Sequence, residues 1–301
     1  TLSPSSAASD VYKRQVIEEI EASRTSFTLY DGGIFIHQGY PYLVKEFNPD
    51  ECYATVQRVD VDWVTNQRDF TDVDPQEIEM IRSLETSDIP IYFGKIKTTI
   101  IVFGFFKMDK YRRIIDAVET HNPPVIINSK GFWIDIPKRA IDICHSKQLN
   151  LAGAIHSAQH AIMGLPPRFI VAGVDEIQTE CKAPEKEFAE RQTKRKRPAR
   201  LVFYDAKGGK YGSGLSIKAF EHIDDVLNGS LQRIEECPCE VGCPNCVVSP
   251  SCKENNFVCS KSGALIILHC ILGHEESEFL EHIQGGPAVS YTHLTLPTTE
   301  R

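Results

Sequence analysis

Five of the ten cysteines lie in one run, Cys237-Pro-Cys239-Glu-Val-Gly-Cys243-Pro-Asn-Cys246-Val-Val-Ser-Pro-Ser-Cys252. Thiolates are soft ligands, and four of them on a tight loop can close a tetrahedron around zinc. The Cys243-x-x-Cys246 turn is the usual half of such a site. Pro238, Gly242, Pro244 and Pro250 interrupt the run, so neither a helix nor a strand of ordinary length spans it. The expected ligands are Cys239, Cys243, Cys246 and Cys252, with Cys237 able to take the place of Cys239. A four-thiolate loop also suits an iron–sulfur cluster. A disulfide pair or packed free thiols is the other alternative, although nothing else in the sequence points to an oxidising compartment.

Other residues invite chemistry less strongly. His156 and His160 stand four apart on one face of a helix pattern, a spacing that can ligate a metal. No glutamate follows His156 as a zincin requires, so packing or hydrogen bonding is the preferred reading. Lys207-Gly-Gly-Lys-Tyr-Gly-Ser-Gly214 separates a strand from a helix, the layout that cradles phosphate on backbone N–H groups. It lacks the Gly-Lys-Ser/Thr ending of a P-loop, and a plain glycine turn fits it better. The basic run Lys194, Arg195, Lys196 and Arg197 reads as a solvated loop or as a contact for phosphate. An independent enzyme built on Asp205, His156 and His160 would need a nucleophile, base and orienter at recognisable spacing, and none is evident.

The elements that must carry these groups follow from periodicity. Val16–Arg24 reads as the end of an acidic helix. Phe27–Tyr30 and Ile34–His37 read as a hairpin around Asp31-Gly-Gly33. Tyr40–Glu46 and Cys52–Val59 add strands, which suggests a small antiparallel barrel or curled sheet. Asp60–Asp88 reads as an acidic loop with a helical turn near Pro75–Leu84. Ile91–Phe106 is the most strand-like run, with Gly104 marking a bulge or bend, and Phe132–Ile136 is a further strand. Helices are expected at Lys138–His145, Asn150–Met163, Leu215–Asn228 and Lys261–Leu272, the last capped by Ser260 and ended by Gly273. Strands are expected at Arg168–Ala172 and Leu201–Asp205.

The fold class is therefore α+β: a small antiparallel β-rich module, 16–105, followed by a mixed α/β zinc-binding domain, 106–285. The 301 residues are 42% hydrophobic, enough for one or two cores, and the net charge of −8 excludes a globally basic nucleic-acid binder. No apolar run approaches the length of a membrane span. The two ends, 1–15 and 286–301, look like one sequencing adapter translated from its two strands. They are set aside from fold reasoning, and the remainder is expected to be an internal piece of a longer product.

The cysteine run, followed by Lys261-Ser-Gly-Ala-Leu265, resembles the C-terminal zinc-binding domain of the MrfA family of superfamily-2 DNA helicases, a group that includes the RecQ4-like Hrq helicases. Further motifs occur in the family's order: Phe27-x-Leu-Tyr-x-Gly-Gly-Ile-Phe-Ile-His, Val59-Asp-Val-Asp-Trp63, Trp133-Ile-Asp-Ile-Pro137, Ala154-Ile-His-Ser-Ala-Gln-His-Ala161 and Phe203-Tyr-Asp-x-x-Gly-Gly209. The resemblance implies a parent ATP-dependent 3′–5′ DNA helicase acting in DNA repair, with a structural zinc in this part. Its partner would be single-stranded or forked DNA, in the nucleus or, in a prokaryote, the cytoplasm. No Walker A, DEAH-type box or arginine-finger motif is found, so ATP and Mg²⁺ would belong to motor domains upstream of Val16. Within this part, Lys194–Arg197, Trp133 and Tyr211 are the candidates for phosphate contact and base stacking. The alternative is a zinc-folded protein-interaction module that does not bind DNA.

Overall fold

The computed structural model describes residues 5–10, 15–166, 176–182, 199–209, 212–250, 252 and 256–286. The chain divides into two compact units, Thr1–Asp74 with Lys97–Ile127, and Pro75–Ile96 with Asn128–Arg301. Residue 105, the expected end of the β-rich module, falls inside a long strand, Pro90–Asp109.

The first unit holds a five-stranded sheet of β1 (Ser5–Asp10), β2 (Gln15–Glu21), β3 (Ile34–His37), β4 (Tyr40–Asn48) and β5 (Tyr53–Arg58), in the order β2-β1-β5-β4-β3. The strand order is linear and does not close, so of the expected barrel or curled sheet the barrel is not formed. The sheet is also mixed, since β1 runs parallel to β5 and antiparallel to β2. Two sequence expectations change here. Val16–Glu21 is strand where an acidic helix was expected, because its pairing partner is Ser5–Asp10, inside the stretch set aside as adapter-derived. Helix α1 (Ala22–Thr28) then takes the first half, Phe27 and Thr28, of the expected first hairpin strand. The hairpin forms one step later, between β3 and β4, where Gln38 (φ 49°) and Gly39 (φ 81°) close a two-residue turn that needs positive φ at both positions. Ile20, Leu29, Phe35, Val44, Ala54 and Val56 form this sheet's small core.

The acidic stretch after Asp60 is strand β6 (Trp63–Ser83), not a loop, and it pairs with β7 (Pro90–Asp109). Sheet hydrogen bonding satisfies its backbone, and its carboxylates project outward: Glu77 accepts from Lys95 and Glu79 from Lys130, each at 2.7 Å. Gly104 is not the bulge. It faces Glu119 of β8 (Ile114–Glu119), and a Cβ there would strike the Val118 carbonyl. The irregularity lies at Lys107/Met108.

In the second unit, β9 (Val125–Asp135), β10 (Ile177–Lys182) and β11 (Arg200–Asp205) continue the sheet in the order β10-β11-β9-β7-β6. Central β11 is buried from Leu201 to Asp205, as a strand flanked on both edges and covered on both faces must be. The helices are α2 (Lys138–Ser146), α3 (Leu151–Met163), α4 (Leu215–Glu221), α5 (Ile223–Glu235), α6 (Lys261–Ile271) and α7 (Glu276–Phe279). The single helix expected from Leu215 breaks at His222, and its second half runs on to Glu235 because Leu227, Leu231 and Ile234 continue the buried stripe. Asn150 and Ser260 cap α3 and α6, accepting from the backbone N–H of Gly153 and Gly263. Helix α6 is the centre of this core: Ile266, Ile267, Leu268 and Ile271 are fully buried. Gly263 lets α6 approach α3, since a Cβ there would overlap the Ala154 methyl. The α+β class stands.

Candidate metal centre

The cysteine run leaves α5 at Glu235 and returns to the core at the cap of α6. Proline and glycine keep it out of regular structure, and hydrogen bonds fold it into a knuckle. The Cys246 and Val248 N–H groups both donate to the Cys243 carbonyl, at 3.0 and 3.1 Å. The Cys243 N–H points at Cys246 Sγ at 3.3 Å. Gly242 takes φ 138°, and a Cβ there would collide with Cys259 Sγ and Val247.

This knuckle brings together Cys237, Cys239, Cys243 and Cys246, whose sulfurs all lie within 4.8 Å of one another. The closest pairs are Cys237–Cys243 and Cys239–Cys246 at 3.4 Å, Cys237–Cys239 at 3.5 Å and Cys243–Cys246 at 3.8 Å. Four thiolates around one zinc at the usual Zn–S length have S–S edges of about 3.8 Å, so the residues fit a single tetrahedral ion. They are too tightly gathered to ring a multi-iron cluster. No cysteine is disulfide-bonded. Of the expected ligands the geometry gathers Cys239, Cys243 and Cys246 with the spare Cys237, and it places Cys252 apart. Cys252 follows Pro250 on a separate turn and meets a different partner, with its Sγ 3.3 Å from His156 Nε2.

Without a cation the crowded thiols cannot all ionise. Burial and the thiols of Cys246, Cys237 and Cys243 push Cys239 up to about 12. Hydrogen bonds from the Cys239 backbone N–H and the neighbouring thiols draw Cys237 down to about 7. A divalent cation removes this conflict by replacing the protons.

Two cations that the sequence reading did not single out hold the knuckle in place. Lys261, the first residue of α6, donates to the Cys237 and Cys239 carbonyls at 2.5 and 2.8 Å. Arg233, in the last turn of α5, donates from Nε to the Asn245 carbonyl at 2.6 Å and from a terminal nitrogen to the Cys246 carbonyl at 2.9 Å. Lys261 had a visible signal, since it opens the motif that follows the cysteines. Arg233 had none beyond its helical phase.

The remaining candidates fall elsewhere. His156 and His160 pack ring to ring with centroids 4.2 Å apart. Asp205 does not join them. Its buried carboxylate accepts from the Ser216 N–H at 2.9 Å and lies 3.5 Å from Ser213 Oγ. That carboxylate therefore sits at the N-terminus of α4 and accepts from its first turn. Trp133 is only 3% exposed, and its ring stacks on Tyr92 at 5.8 Å, which makes it a core residue. Lys194, Arg195, Lys196, Arg197, Tyr211 and the expected strand Arg168–Ala172 lie outside the described residues.

Residues 158–247 match the family model of the MrfA Zn-binding domain. That span takes in all four gathered cysteines and ends before Cys252. The chain is 78% identical over 283 residues to the ATP-dependent helicase HRQ1 of Saccharomyces cerevisiae, covering 94% of this chain and 26% of that protein. It is 41% identical over 288 residues to the ATP-dependent helicase hrq1 of Schizosaccharomyces pombe, covering 93% and 27%. The crystal structure of the DUF1998 helicase MrfA bound to DNA shares the fold, with a TM-score of 0.61 over 88% of this chain and 33% of that one at 20% identity. The chain thus spans about a quarter of the length of these curated relatives. By that stretch, and by the four-cysteine knuckle within it, the chain carries a MrfA-type Zn-binding domain and closely resembles the matching quarter of the Hrq1 helicases.

Proposed function

We propose that this chain is the C-terminal accessory part of an ATP-dependent 3′–5′ DNA helicase acting in DNA repair in the nucleus, folded around one structural zinc and contacting the DNA strand. The observation that carries the reading is the match of nearly the whole chain to helicases, together with the gathered sulfurs of Cys237, Cys239, Cys243 and Cys246. Bound there, zinc would cross-link the knuckle. Four thiolates leave it no open position for water, so its contribution is to stability and not to Lewis-acid chemistry. The chain's own groups do the rest. Lys261 and Arg233 fix the knuckle's carbonyls, and α6 carries that constraint into the core. ATP hydrolysis belongs to other parts of the parent protein.

Contact with DNA falls to the basic run Lys194–Arg197, the densest positive charge in a chain of net charge −8. The acidic balance favours a second reading, a zinc-folded module that binds protein partners. The two separate on one measurement, affinity for single-stranded DNA as a function of salt. The helicase-module reading expects binding that weakens as salt rises and collapses when Lys194, Arg195, Lys196 and Arg197 are changed together to Ala. Absent or salt-independent binding rejects the DNA contact. Metal analysis tests the centre: Cys243→Ser and Cys246→Ser should each lose one equivalent of zinc and unfold at a lower temperature than wild type.

A further inference from the structure

A second group of metal-type ligands lies beside the first and is left unused by the four-cysteine centre. Helix α3 presents His156 and His160 one turn apart, and the turn after Pro250 brings Cys252 to them. One ligand atom from each of the three lies within 4.8 Å of the others. The closest pair, His156 Nε2 and Cys252 Sγ, is 3.3 Å apart. Imidazole nitrogen and thiolate sulfur sharing a tetrahedral zinc are separated by about 3.5 Å at ordinary bond lengths.

The surroundings prepare these atoms for ligation. His160 is 8% exposed, and its Nδ1 lies 2.9 Å from the Val247 carbonyl. A carbonyl only accepts, so Nδ1 carries the proton and Nε2 keeps its lone pair. His156 Nδ1 faces Cys181 Sγ at 3.5 Å, which leaves its Nε2 for the side where Cys252 sits. Each ring is thus held through its second nitrogen, the outer-shell arrangement that orients metal-bound imidazoles. The Asn256 N–H points at Cys252 Sγ at 3.3 Å and holds the thiol in this turn.

We propose that His156, His160 and Cys252 form a second site for a soft divalent cation of the zinc type, separate from the four-cysteine centre. Its donor set is two nitrogens and one sulfur. Three protein ligands leave a fourth position for a small exogenous ligand such as water. This site pins the turn at Cys252 to α3, whereas the first pins the knuckle to α5 and α6. It does not depend on the helicase reading.

The test is metal content of the full chain after desalting in metal-free buffer, with Zn²⁺ and then Co²⁺ as the probe. Wild type should retain two equivalents, while Cys252→Ser, His160→Gln and Cys243→Ser each retain one. The cobalt form of Cys243→Ser should show the weaker sulfur-to-metal charge transfer of a single thiolate, and that of Cys252→Ser the stronger band of four. Should Cys252→Ser lose both metals with its fold, His160→Gln decides, because glutamine keeps a donor for the Val247 carbonyl. One equivalent in wild type, or two that neither Cys252→Ser nor His160→Gln lowers, overturns the proposal. Loss of the first centre alone is read separately from Cys243→Ser.

Discussion

Replacing Lys261 with Met tests what holds the cysteine knuckle to the core. The substitution keeps the length and apolar stem of the side chain and removes only the ammonium. Two hydrogen bonds go with it, to the Cys237 carbonyl at 2.5 Å and the Cys239 carbonyl at 2.8 Å. Charge-assisted bonds of this kind contribute about 1.5–3 kcal/mol each. Both lie in partly buried surroundings, where water replaces some of the loss, so the expected cost is about 2–4 kcal/mol in total. In a unit of this size that lowers Tm by about 5–15 °C. The assay is thermal unfolding with zinc in fixed excess, paired with the rate at which a chromophoric chelator strips zinc. Lys261→Met should melt lower and release zinc faster, and Lys261→Gln, which keeps a shorter donor, should fall between. A Tm within about 1 °C of wild type with unchanged zinc release would falsify the claim that Lys261 anchors the knuckle.

Other consequences can be checked directly. Gly263→Ala places a methyl against Ala154 where α6 crosses α3, and overpacking of this kind should cost about 1–3 kcal/mol in a denaturant titration. Burial, and Cys270 beside it, push the Cys144 thiol up to about 12. Cys144 should therefore resist alkylation at pH 8 in the folded protein and react on unfolding, as peptide mass mapping would report. His269 is drawn down to about 4 by burial and by His274. These outweigh the Glu278 carboxylate, which pulls the other way. An unfolded histidine titrates near 6.5, so the unfolded state binds the extra proton between these values, and stability should fall as pH drops from about 6.5 to about 4. His269→Phe should flatten that part of the stability profile, and an unchanged slope would assign it to other groups.

Much of the second unit was legible because its signals are local. Asn150 and Ser260 declared two helix starts, Pro137 closed β9, and the apolar run Leu201–Asp205 announced a central strand. The cysteine knuckle was legible as a metal centre, but membership was not. Choosing between Cys237 and Cys252 depends on where the turn after Pro250 goes, and His156 on a distant helix decides that. The misread strands before Pro90 have a different cause. Gln15–Glu21 is a strand only because Ser5–Asp10 pairs with it, and Trp63–Ser83 only because β7 lies alongside. A strand carrying Glu77, Glu79 and Arg82 shows little amphipathic pattern of its own, and its ion partners, Lys95, Lys130 and Asp224, are scattered along the chain.

The interleaved order of the two units has a consequence for synthesis. Pro75–Ile96 belongs to the second unit, yet the chain returns to the first at Lys97 before the rest of the second follows at Asn128. Ile91 and Phe93 pack in a core whose other members extend to Ile283. They leave the ribosome about 190 residues ahead of the last of those partners, a wait of roughly 10–40 s at ordinary elongation rates. Over that interval a strand with alternating large apolar side chains has no completed core to enter. The nascent chain should therefore carry a transient chaperone-binding segment near Ile91–Phe93, one that vanishes from the finished protein.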